Sequence, residues 1–470
     1  MKRIGELAPT LIADRQARRG LAVPWANGKN AKEFRATMGR KPIVGIFSVG
    51  FEEPYRWKDS VQNAAEFQLW AADGVANDLR PWFTKFSGTL HDRRWLKPVE
   101  QMYQRYASWE KYLRNERPLA RVAVVYSQQT GWFYGGKVED HINGWYQALI
   151  EARVPFEMVH DQLLDADHLA PFKTLLLPNI AALSNGQCDQ LRAFVQRGGS
   201  LIATHETSLC DEWGAKRKNF GLADLFGVDF AGRVEARMQN AYLRLEHGAA
   251  QNHPLLRGLE DAPRIIHGVS RVEVTPREPF STVPLTLIPS YPDLPMEKVF
   301  PRVPKTEIAQ VFLREIELDD LGKSQGAVRS PRPVTRIAYF PWDIDRTFWE
   351  VLCVDHFKLL RNAVNWATNE PPVLEVSGPG VLDVTLWQQK NSMTVHLVNL
   401  TNPMMMKGPV REFVPIGEQR VRVRLPANAR PSEFIFSQPK KPSLPNPTVN
   451  ISLSRCLQSS ITKSSPSIYE

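Results

Sequence analysis

The stretch Ser200-Leu201-Ile202-Ala203-Thr204-His205-Glu206 decides how this sequence folds. Its first five residues follow Gly198-Gly199 and form an apolar or small run, which is typical of a buried strand entered from the end of a helix. Two similar runs, Val122–Tyr126 and Thr174–Pro178, precede it, with helical patterns between them. Alternating strands and helices predict a parallel sheet, and ligands of such sheets bind at the carboxyl ends of the strands. We therefore expect His205 and Glu206 to face a crevice.

The remaining patterns complete one α/β domain over residues 118–369. A strand is predicted at Phe156–Val159 and a helix at Cys188–Arg197. An amphipathic helix over His356–Thr368 closes the domain. The predicted fold class of this region is an α/β, flavodoxin-like open sheet.

These residues resemble the class I glutamine amidotransferase-like domain, in the non-catalytic version that forms the trimerisation domain of family 42 β-galactosidases. The runs His253–Leu259 and Arg336–Asp343 carry the same resemblance. Working amidotransferases place a cysteine in a Gly-flanked turn after the strand that ends here at Thr204. This chain has His205 there, and Cys210 lies off the turn, so the resemblance implies a structural domain that joins subunits into a homo-oligomer, with a trimer as one possibility.

Length, charge and cysteine usage set limits on the class of protein. The chain has 470 residues and a formal net charge of +9, but its basic residues are scattered among acids, so we expect no nucleic-acid binding. Its four cysteines show neither metal-ligand spacing nor a disulfide framework. No run approaches the length of a membrane span and the start lacks a signal-peptide pattern, so we expect a cytoplasmic protein without a metal or cofactor.

Residues 1–117 read as the C-terminal part of a (β/α)8 barrel. A buried strand at Pro42–Ser48 is followed by a helical pattern over Ser60–Asn77, a strand at Leu79–Phe86 and a long helix over Trp95–Arg114. Two strand–helix units of this kind are typical of the end of such a barrel. Residues 1–41 are too few for the missing strands, and we expect a truncated barrel.

The segment resembles the family 42-like and hypothetical glycosyl hydrolases, in which a barrel precedes the amidotransferase-like domain. The resemblance implies that Glu53 or Glu52 is the catalytic carboxylate after the seventh barrel strand. Adjacent residues of an extended segment face opposite sides, so the two cannot form the pair of acids that glycoside hydrolysis requires. Five further residues are candidates for binding the carbohydrate, through ring stacking or hydroxyl contacts: Arg56, Trp57, Trp82, Lys85 and His91.

Two segments follow the α/β domain. Alternating patterns over residues 370–436, with a turn at Lys390-Asn391, predict a small antiparallel β domain. Residues 437–470 are rich in proline, serine and threonine, and we expect a disordered or aberrant tail that leaves the last sheet with an unpaired edge. A proline-rich insertion at residues 291–304 is expected to contact the barrel or a neighbouring subunit.

The sequence therefore predicts a glycoside hydrolase of the β-galactosidase type, truncated and with impaired or no activity alone. Two alternatives stay open. One is a non-catalytic oligomerisation or carbohydrate-binding protein, which the missing barrel strands favour. The other is a trehalose-utilisation-like protein of amidotransferase fold, in which His205 and Glu206 would bind a sugar or a metal.

Overall fold

The computed structural model describes residues 6–15, 22–39, 41–51, 57–85, 89–246, 248–290, 306–317, 334–402, 409–425 and 449–455, the last range as backbone. The chain divides into two compact units. The first comprises Met1–Ala120, Arg153–Glu157 and Pro371–Glu470, and the second comprises Arg121–Ala152 and Met158–Glu370. No helix in the described part of the chain has the length and apolar character that crossing a bilayer requires.

The first unit begins with strand–helix repeats. Its strands β1 (Leu11–Ala13), β2 (Ile43–Ser48) and β3 (Leu79–Thr84) are parallel and lie in the order β1-β2-β3. The helices that follow them span Ala26–Met38, Ala64–Ala76 and Leu96–Trp109, and a 3-10 turn extends the last over Glu110–Tyr112. Neighbouring strands are thus consecutive in the chain, as in a (β/α) barrel.

The first of these repeats was not predicted. The strand at Leu11–Ala13 has only 3 residues, too few to show a periodic pattern. The helix Ala26–Met38 buries Asn27, Lys29, Asn30 and Lys32, so its inward face is polar and lacks the apolar stripe by which helices are recognised. Residues 1–41 therefore contain one more strand–helix repeat than the sequence indicated.

Two further sheets of the first unit come from the C-terminal region. In one, β17 (Leu382–Gln388) pairs with β18 (Met393–Asn399) in the predicted hairpin and, on its other side, with β4 (Arg117–Pro118). In the other, β16 (Leu374–Ser377), β19 (Gln419–Leu425) and β20 (Val449–Arg455) lie in the order β16-β19-β20. Leu382, Val384, Leu386, Val421 and Val423 form their shared apolar core.

The strand β20 differs from the disordered tail expected over residues 437–470. It pairs in parallel with all seven residues of β19 and so occupies the sheet edge that was expected to be unpaired. The alternation of Val449, Ile451 and Leu453 with polar residues is a strand pattern within the otherwise polar tail. The rest of the tail lies outside the described residues.

The second unit is built on a six-stranded sheet of order β14-β15-β8-β7-β5-β6. Its members are β5 (Val122–Tyr126), β6 (Phe156–His160), β7 (Thr174–Leu177), β8 (Ser200–Thr204), β14 (Phe312–Glu317) and β15 (Val334–Phe340). β5, β7, β8 and β15 are mutually parallel, whereas β14 is antiparallel to β15. Counted from β6, the strand order is β6-β5-β7-β8-β15-β14, which is that of a flavodoxin-like sheet. In this order, the side on which successive strands are added changes between β5 and β7.

The helices of this unit span Val138–Glu151, Asn185–Gln196, Ile344–Val351 and Val354–Thr368, with short helices at Ala166–Leu169 and Ala223–Phe226. Ser184 and Gln187 form a capping box that starts the Asn185–Gln196 helix three residues before the predicted position. The sheet buries an apolar layer that includes Leu175, Leu177, Leu201, Ile337 and Tyr339.

Short antiparallel sheets complete the second unit. β9 (Val228–Glu235) pairs with β12 (Arg271–Pro276), and β10 (Tyr242–Leu245) lies between β11 (Arg264–Ile266) and β13 (Leu285–Ile288). A π-helical turn follows β5 at Thr130–Tyr134, and 3-10 turns occur at Gly248–Ala250 and Pro254–Leu256. The proline-rich insertion at 291–304 lies outside the described residues.

Candidate functional site

The predicted carbohydrate site of the first unit is described in part. Glu52, Glu53 and Arg56 lie outside the described residues. Trp57 and Trp82 are 58% and 48% exposed, so both indole rings face solvent rather than the core. His91 is also exposed. Trp57 precedes the end of the loop after β2, and Trp82 lies on β3.

The loop that contains Glu52 and Glu53 is fastened at both ends. The amide of Gln62 donates to the Val49 carbonyl at 2.6 Å, and its side-chain nitrogen donates to the Gly50 carbonyl at 2.8 Å. The Phe51 amide donates to Ser60 Oγ at 2.8 Å. These bonds fix residues 49–51 against residues 60–62.

Lys85 holds the same loop from the neighbouring strand. Its Nζ donates to the carbonyls of Lys58 and Ser60, at 2.6 and 2.7 Å. The ammonium that was predicted to contact a sugar hydroxyl therefore already has two partners within the protein. We assign Lys85 a role in shaping the loop.

An exposed ion pair flanks this region. Arg94 binds Asp92 through two nitrogens, and this contact lowers the pKa of Asp92 to about 2. The Asp92 amide donates to Asp59 Oδ1 at 3.1 Å, which links the segment after His91 to the loop after β2. The pair is a solvated surface contact and supplies no acid for catalysis.

In the second unit, the turn after β8 contains a residue in a left-handed backbone conformation. His205 has a φ of 52°, a left-handed conformation that is uncommon for residues other than glycine. Its amide donates to the Phe340 carbonyl at 2.8 Å, and its carbonyl accepts from the Tyr339 hydroxyl at 2.7 Å. The imidazole is buried. The left-handed conformation costs about 1 kcal/mol or more of free energy, and the hydrogen bonds to the neighbouring strand β15 hold the turn in it.

The expected crevice is filled by side chains that hydrogen-bond to one another. Asp345 accepts from Thr204 Oγ1 at 2.7 Å and lies 2.7 Å from His141 Nδ1. The other His141 nitrogen is 3.3 Å from the side-chain nitrogen of Asn179, whose oxygen accepts from the Glu206 amide at 3.1 Å. The carboxyl ends of β7, β8 and β15 are thereby joined in one polar cluster.

The tautomer of His205 follows from its contact with Ser270. The Ser270 hydroxyl donates to the Glu235 carbonyl at 3.1 Å, so its oxygen accepts from His205 Nε2, 2.9 Å away. Nδ1 is then unprotonated, and it is buried without a hydrogen-bond partner among the described residues. Burial lowers the pKa of His205 well below its usual value, and His141 and Arg346 add to this effect, so the ring is neutral near pH 7.

Glu206 lies beside a group of exposed aromatic residues. Its carboxylate accepts from the Tyr134 hydroxyl, whose pKa is raised by burial and by the Glu206 charge. Trp132, Phe133 and Trp213 are 69%, 45% and 69% exposed, and the Phe133 and Trp213 rings meet edge to face at 5.3 Å. We refer to these three residues as the aromatic surface cluster.

The geometry supplies no nucleophile for amidotransfer at this turn. The residue in the left-handed turn is His205, and burial raises the pKa of the nearby Cys210, which keeps it protonated. Nor do the described residues contain a group of three or more histidine, cysteine, aspartate or glutamate side chains that could hold a metal ion. What the cluster provides instead is a set of buried hydrogen bonds between strand ends.

Sequence reasoning found His205 and Glu206 but missed their main partners. Asn179 lies two residues after the end of β7, and a polar residue near a strand end was an available signal. His141 lies within the helix Val138–Glu151 and its partner Asp345 is 204 residues away, so no local pattern connects them.

Comparison with known proteins relates part of the chain to a known family. Residues 120–242 match the family described as the beta-galactosidase trimerisation domain, and this confirms the predicted resemblance to β-galactosidase-like glycosyl hydrolases. No curated protein matches the sequence.

Several solved structures share the fold at low sequence identity. The beta-galactosidase from Bacillus circulans sp. alkalophilus is 12% identical with a TM-score of 0.58, and the match covers 81% of this chain and 53% of that one. The alpha-L-fucosidase isoenzyme 2 from Paenibacillus thiaminolyticus is 17% identical, with a TM-score of 0.62 and coverages of 91% and 60%. The beta-galactosidase from Rahnella sp. R3 is 14% identical, with a TM-score of 0.60 and coverages of 83% and 54%. This chain thus spans little more than half the length of each.

Proposed function

We propose that this chain is part of a glycoside hydrolase of the β-galactosidase type, in which the first unit contributes to a (β/α)8 barrel and the second unit joins subunits. The observation that carries the proposal is the parallel order β1-β2-β3 with a helix after each strand, in a chain whose residues 120–242 match the trimerisation-domain family. In a barrel each new strand pairs on the same side of the strand before it, and the helices all lie on one face of the sheet. In a doubly wound sheet the side on which new strands are added changes partway along the chain.

The catalytic carboxylate is assigned to Glu53, with Glu52 as the alternative. Both follow β2, and active sites of barrels lie at the carboxyl ends of the strands. Two opposed carboxyl groups are needed, about 5 Å apart for retention of configuration and further apart for inversion. Because neighbours on an extended segment face opposite ways, this loop supplies one of the two acids, and the other must come from a different strand.

The sugar contacts are assigned to residues around the same loop. Trp57 and Trp82 present exposed rings that can stack on the apolar face of a pyranose. We assign Arg56 and His91 to hydrogen bonds with the hydroxyl groups of the sugar. Lys85 acts indirectly, since its bonds to the carbonyls of Lys58 and Ser60 set the shape of the loop.

Subunit assembly is assigned to the second unit. The aromatic surface cluster lies on the matched domain and exposes three large rings, and exposed apolar groups of this size are typical of interaction surfaces. The left-handed turn at His205 supports descent from an amidotransferase-type elbow that has lost its thiol. A cytoplasmic location is part of the proposal, supported by the free thiols of Cys188, Cys210 and Cys353.

Hydrolysis and binding of an aryl β-galactoside test the proposal. The full chain is titrated with the substrate by calorimetry and assayed for release of the aryl group, alone and as Glu53→Gln, Glu52→Gln and Trp82→Ala. Loss of binding in Trp82→Ala and loss of any hydrolysis in one of the two Gln variants are expected. Glu100→Gln, at an exposed position on the helix Leu96–Trp109, is the matched control. Hydrolysis that survives both Glu changes would remove the carboxylate assignment.

A non-catalytic carbohydrate-binding or oligomerisation protein is the second candidate, favoured by the aromatic surface cluster. It predicts an oligomer that binds the galactoside without hydrolysing it. A trehalose-utilisation-like role for His205 and Glu206 predicts that zinc or manganese stabilises the chain. Unchanged thermal unfolding with either metal would count against that role.

A further inference from the structure

We propose that Asp73 is protonated in the folded protein and donates that proton in a hydrogen bond to Asp383, so that one shared proton fastens the C-terminal strand β17 to the helix Ala64–Ala76. The proposal concerns the first unit alone and does not depend on the proposed catalytic function. It identifies a conformational device that loosens as the pH rises.

The two acids are buried at one place in the first unit. Asp73 is 0% exposed and Asp383 is 2% exposed. Asn77 bridges them: its side-chain nitrogen donates to the Asp73 carbonyl and to Asp383 Oδ2, both at 2.9 Å. The Thr385 hydroxyl and the Trp387 indole, both on β17, each donate at 3.0 Å to the Ala76 carbonyl, so the strand and the helix end are in direct contact.

A count of hydrogen-bond donors leaves one carboxyl oxygen without a partner. Asp73 Oδ2 accepts from the Gly28 amide at 2.5 Å, but Asp73 Oδ1 is buried and has no donor within the described residues. The orientation of Asn77 is fixed by Lys32, which can only donate and lies 2.6 Å from Asn77 Oδ1. Asn77 therefore has no further N–H for Asp73, and a proton on Asp73 itself satisfies the pair.

The charges around the pair also require a proton. Lys32 Nζ lies 3.8 Å from Asp383 Oδ2 and is a cation that faces the two acids within the described residues. Lys29 is paired with Glu33 at 3.3 Å, and Arg35 is paired with Glu157 at 2.7 Å while it donates to the Asn77 carbonyl. Two ionised carboxylates beside one ammonium would leave a net buried negative charge, which is strongly unfavourable, whereas one proton makes the group neutral.

The remaining titratable neighbour does not supply that charge. His396, on β18, is a half-buried residue near Asp383, and desolvation of its ring lowers its pKa to about 4, so the ring is neutral at the pH where the pair matters. Burial, followed by the nearby charge of Asp383, raises the pKa of Asp73 well above its usual value. The lowered pKa of His396 and the raised pKa of Asp73 both agree with the hydrogen-bond count.

The pH dependence has a definite sign. Unfolded Asp73 loses its proton near pH 4, but folded Asp73 keeps it to higher pH. The stabilisation is therefore complete below about pH 4 and declines as the pH rises towards the folded pKa. One proton taken up on folding changes the unfolding equilibrium by about tenfold per pH unit in this window.

Hydrogen exchange in strand β17, followed by mass spectrometry between pH 4 and pH 9, tests the proposal on the full chain. Asp73→Asn replaces the protonated acid by an amide that can donate to Asp383 at any pH. Once intrinsic exchange rates are corrected for, protection of Leu382–Gln388 in the natural chain is expected to fall relative to Asp73→Asn by up to tenfold per pH unit. Glu100→Gln, exposed on another helix of the same unit, is expected to follow the natural chain.

An infrared measurement gives a readout independent of stability. The difference spectrum between the natural chain and Asp73→Asn at pH 7 is expected to contain the carbonyl stretch of a protonated carboxylic acid, and Asp383→Asn is expected to lose the same band because Asp73 can then ionise beside Lys32. A pH-independent loss of protection in Asp73→Asn, or a difference spectrum showing only ionised carboxylate, would overturn the proposal.

Discussion

His141 Nδ1 and Asp345 Oδ1 are 2.7 Å apart, in a pair that joins the helix Val138–Glu151 to the start of the helix Ile344–Val351. Both side chains are buried, and the second Asp345 oxygen accepts from Thr204 at the end of β8. The Asp345 carboxylate therefore connects two helices and the end of β8, the strand that leads into His205.

Replacing this carboxylate should destabilise the second unit. Asp345→Asn places an amide nitrogen opposite one of the groups that donate to this carboxylate, which are His141, Thr204 and the Arg346 amide. We expect a loss of about 3 kcal/mol in the free energy of unfolding because a buried polar group is left unpaired. Urea unfolding followed by circular dichroism measures the change. Asp261→Asn, at an exposed position of the same unit, should leave the unfolding midpoint unchanged. Equal midpoints for the two variants would show that the pair contributes no stability.

The acid sensitivity of the second unit should depend on His267. This ring is buried against Trp342 and bonds Gln310 at 2.8 Å, and burial lowers its pKa to about 4. A depressed histidine pKa stabilises the fold above pH 6.5, and this stabilisation is lost as the pH falls towards 4, by about 3 kcal/mol in total. His267→Gln should remove that part of the pH dependence in urea titrations at pH 7, 5.5 and 4. Parallel curves for both proteins would contradict the assignment.

The close packing of the two helices that contain His141 and Asp345 also requires glycine at position 144, which is Gly144. A Cβ atom at this position would lie 1.9 Å from the Asp345 carbonyl oxygen, a backbone atom that cannot move aside alone. Gly144→Ala should lower the free energy of unfolding by about 3 kcal/mol through overpacking. The control is Gly186→Ala in the helix Asn185–Gln196, where the nearest atom is 3.9 Å away and the change should be neutral or slightly stabilising. If both variants melt alike, the two helices are less closely packed than described.

The aromatic surface cluster should control assembly but not sugar binding. Trp213→Glu places a charge on the exposed rings and should reduce the oligomer mass measured by light scattering. Trp57→Glu, at a similarly exposed tryptophan of the first unit, should leave the mass unchanged and weaken galactoside binding. A mass that responds to Trp57 and not to Trp213 would assign the interface to the first unit.

How much of this could be read from the sequence differs between the two units. In the second unit the strands Val122–Tyr126 and Ser200–Thr204 were predicted with the bounds that the structure has, and the strand predicted over Thr174–Pro178 ends one residue earlier, at Leu177. Continuous apolar runs of this kind indicate strands buried on both faces. In the first unit the helix Ala26–Met38 was missed because its buried face consists of lysines and asparagines. On this helix Lys32 contacts Asn77, 45 residues away, and Asp383 in the C-terminal region, and a periodic pattern contains no information about such pairs.

The candidate site shows the same division. His205 and Glu206 were found because they follow a strand, and their position at the sheet edge depends only on local order. The pairing of His141 with Asp345, the tautomer set by Ser270 and the occupied ammonium of Lys85 all depend on contacts between distant segments. The sequence alone therefore located the sheet edge at which His205 and Glu206 lie. It could not show that hydrogen-bonded side chains fill the crevice expected there.

The short strand β4 has a consequence for how the protein is made. Its residue Arg117 meets Gln388 of β17, 271 residues later in the chain. A ribosome must therefore complete the whole second unit before the first can close its sheet, and until then β4 emerges with no strand to pair with. The first unit therefore remains without its last strands until the segment that begins at Pro371 has been translated.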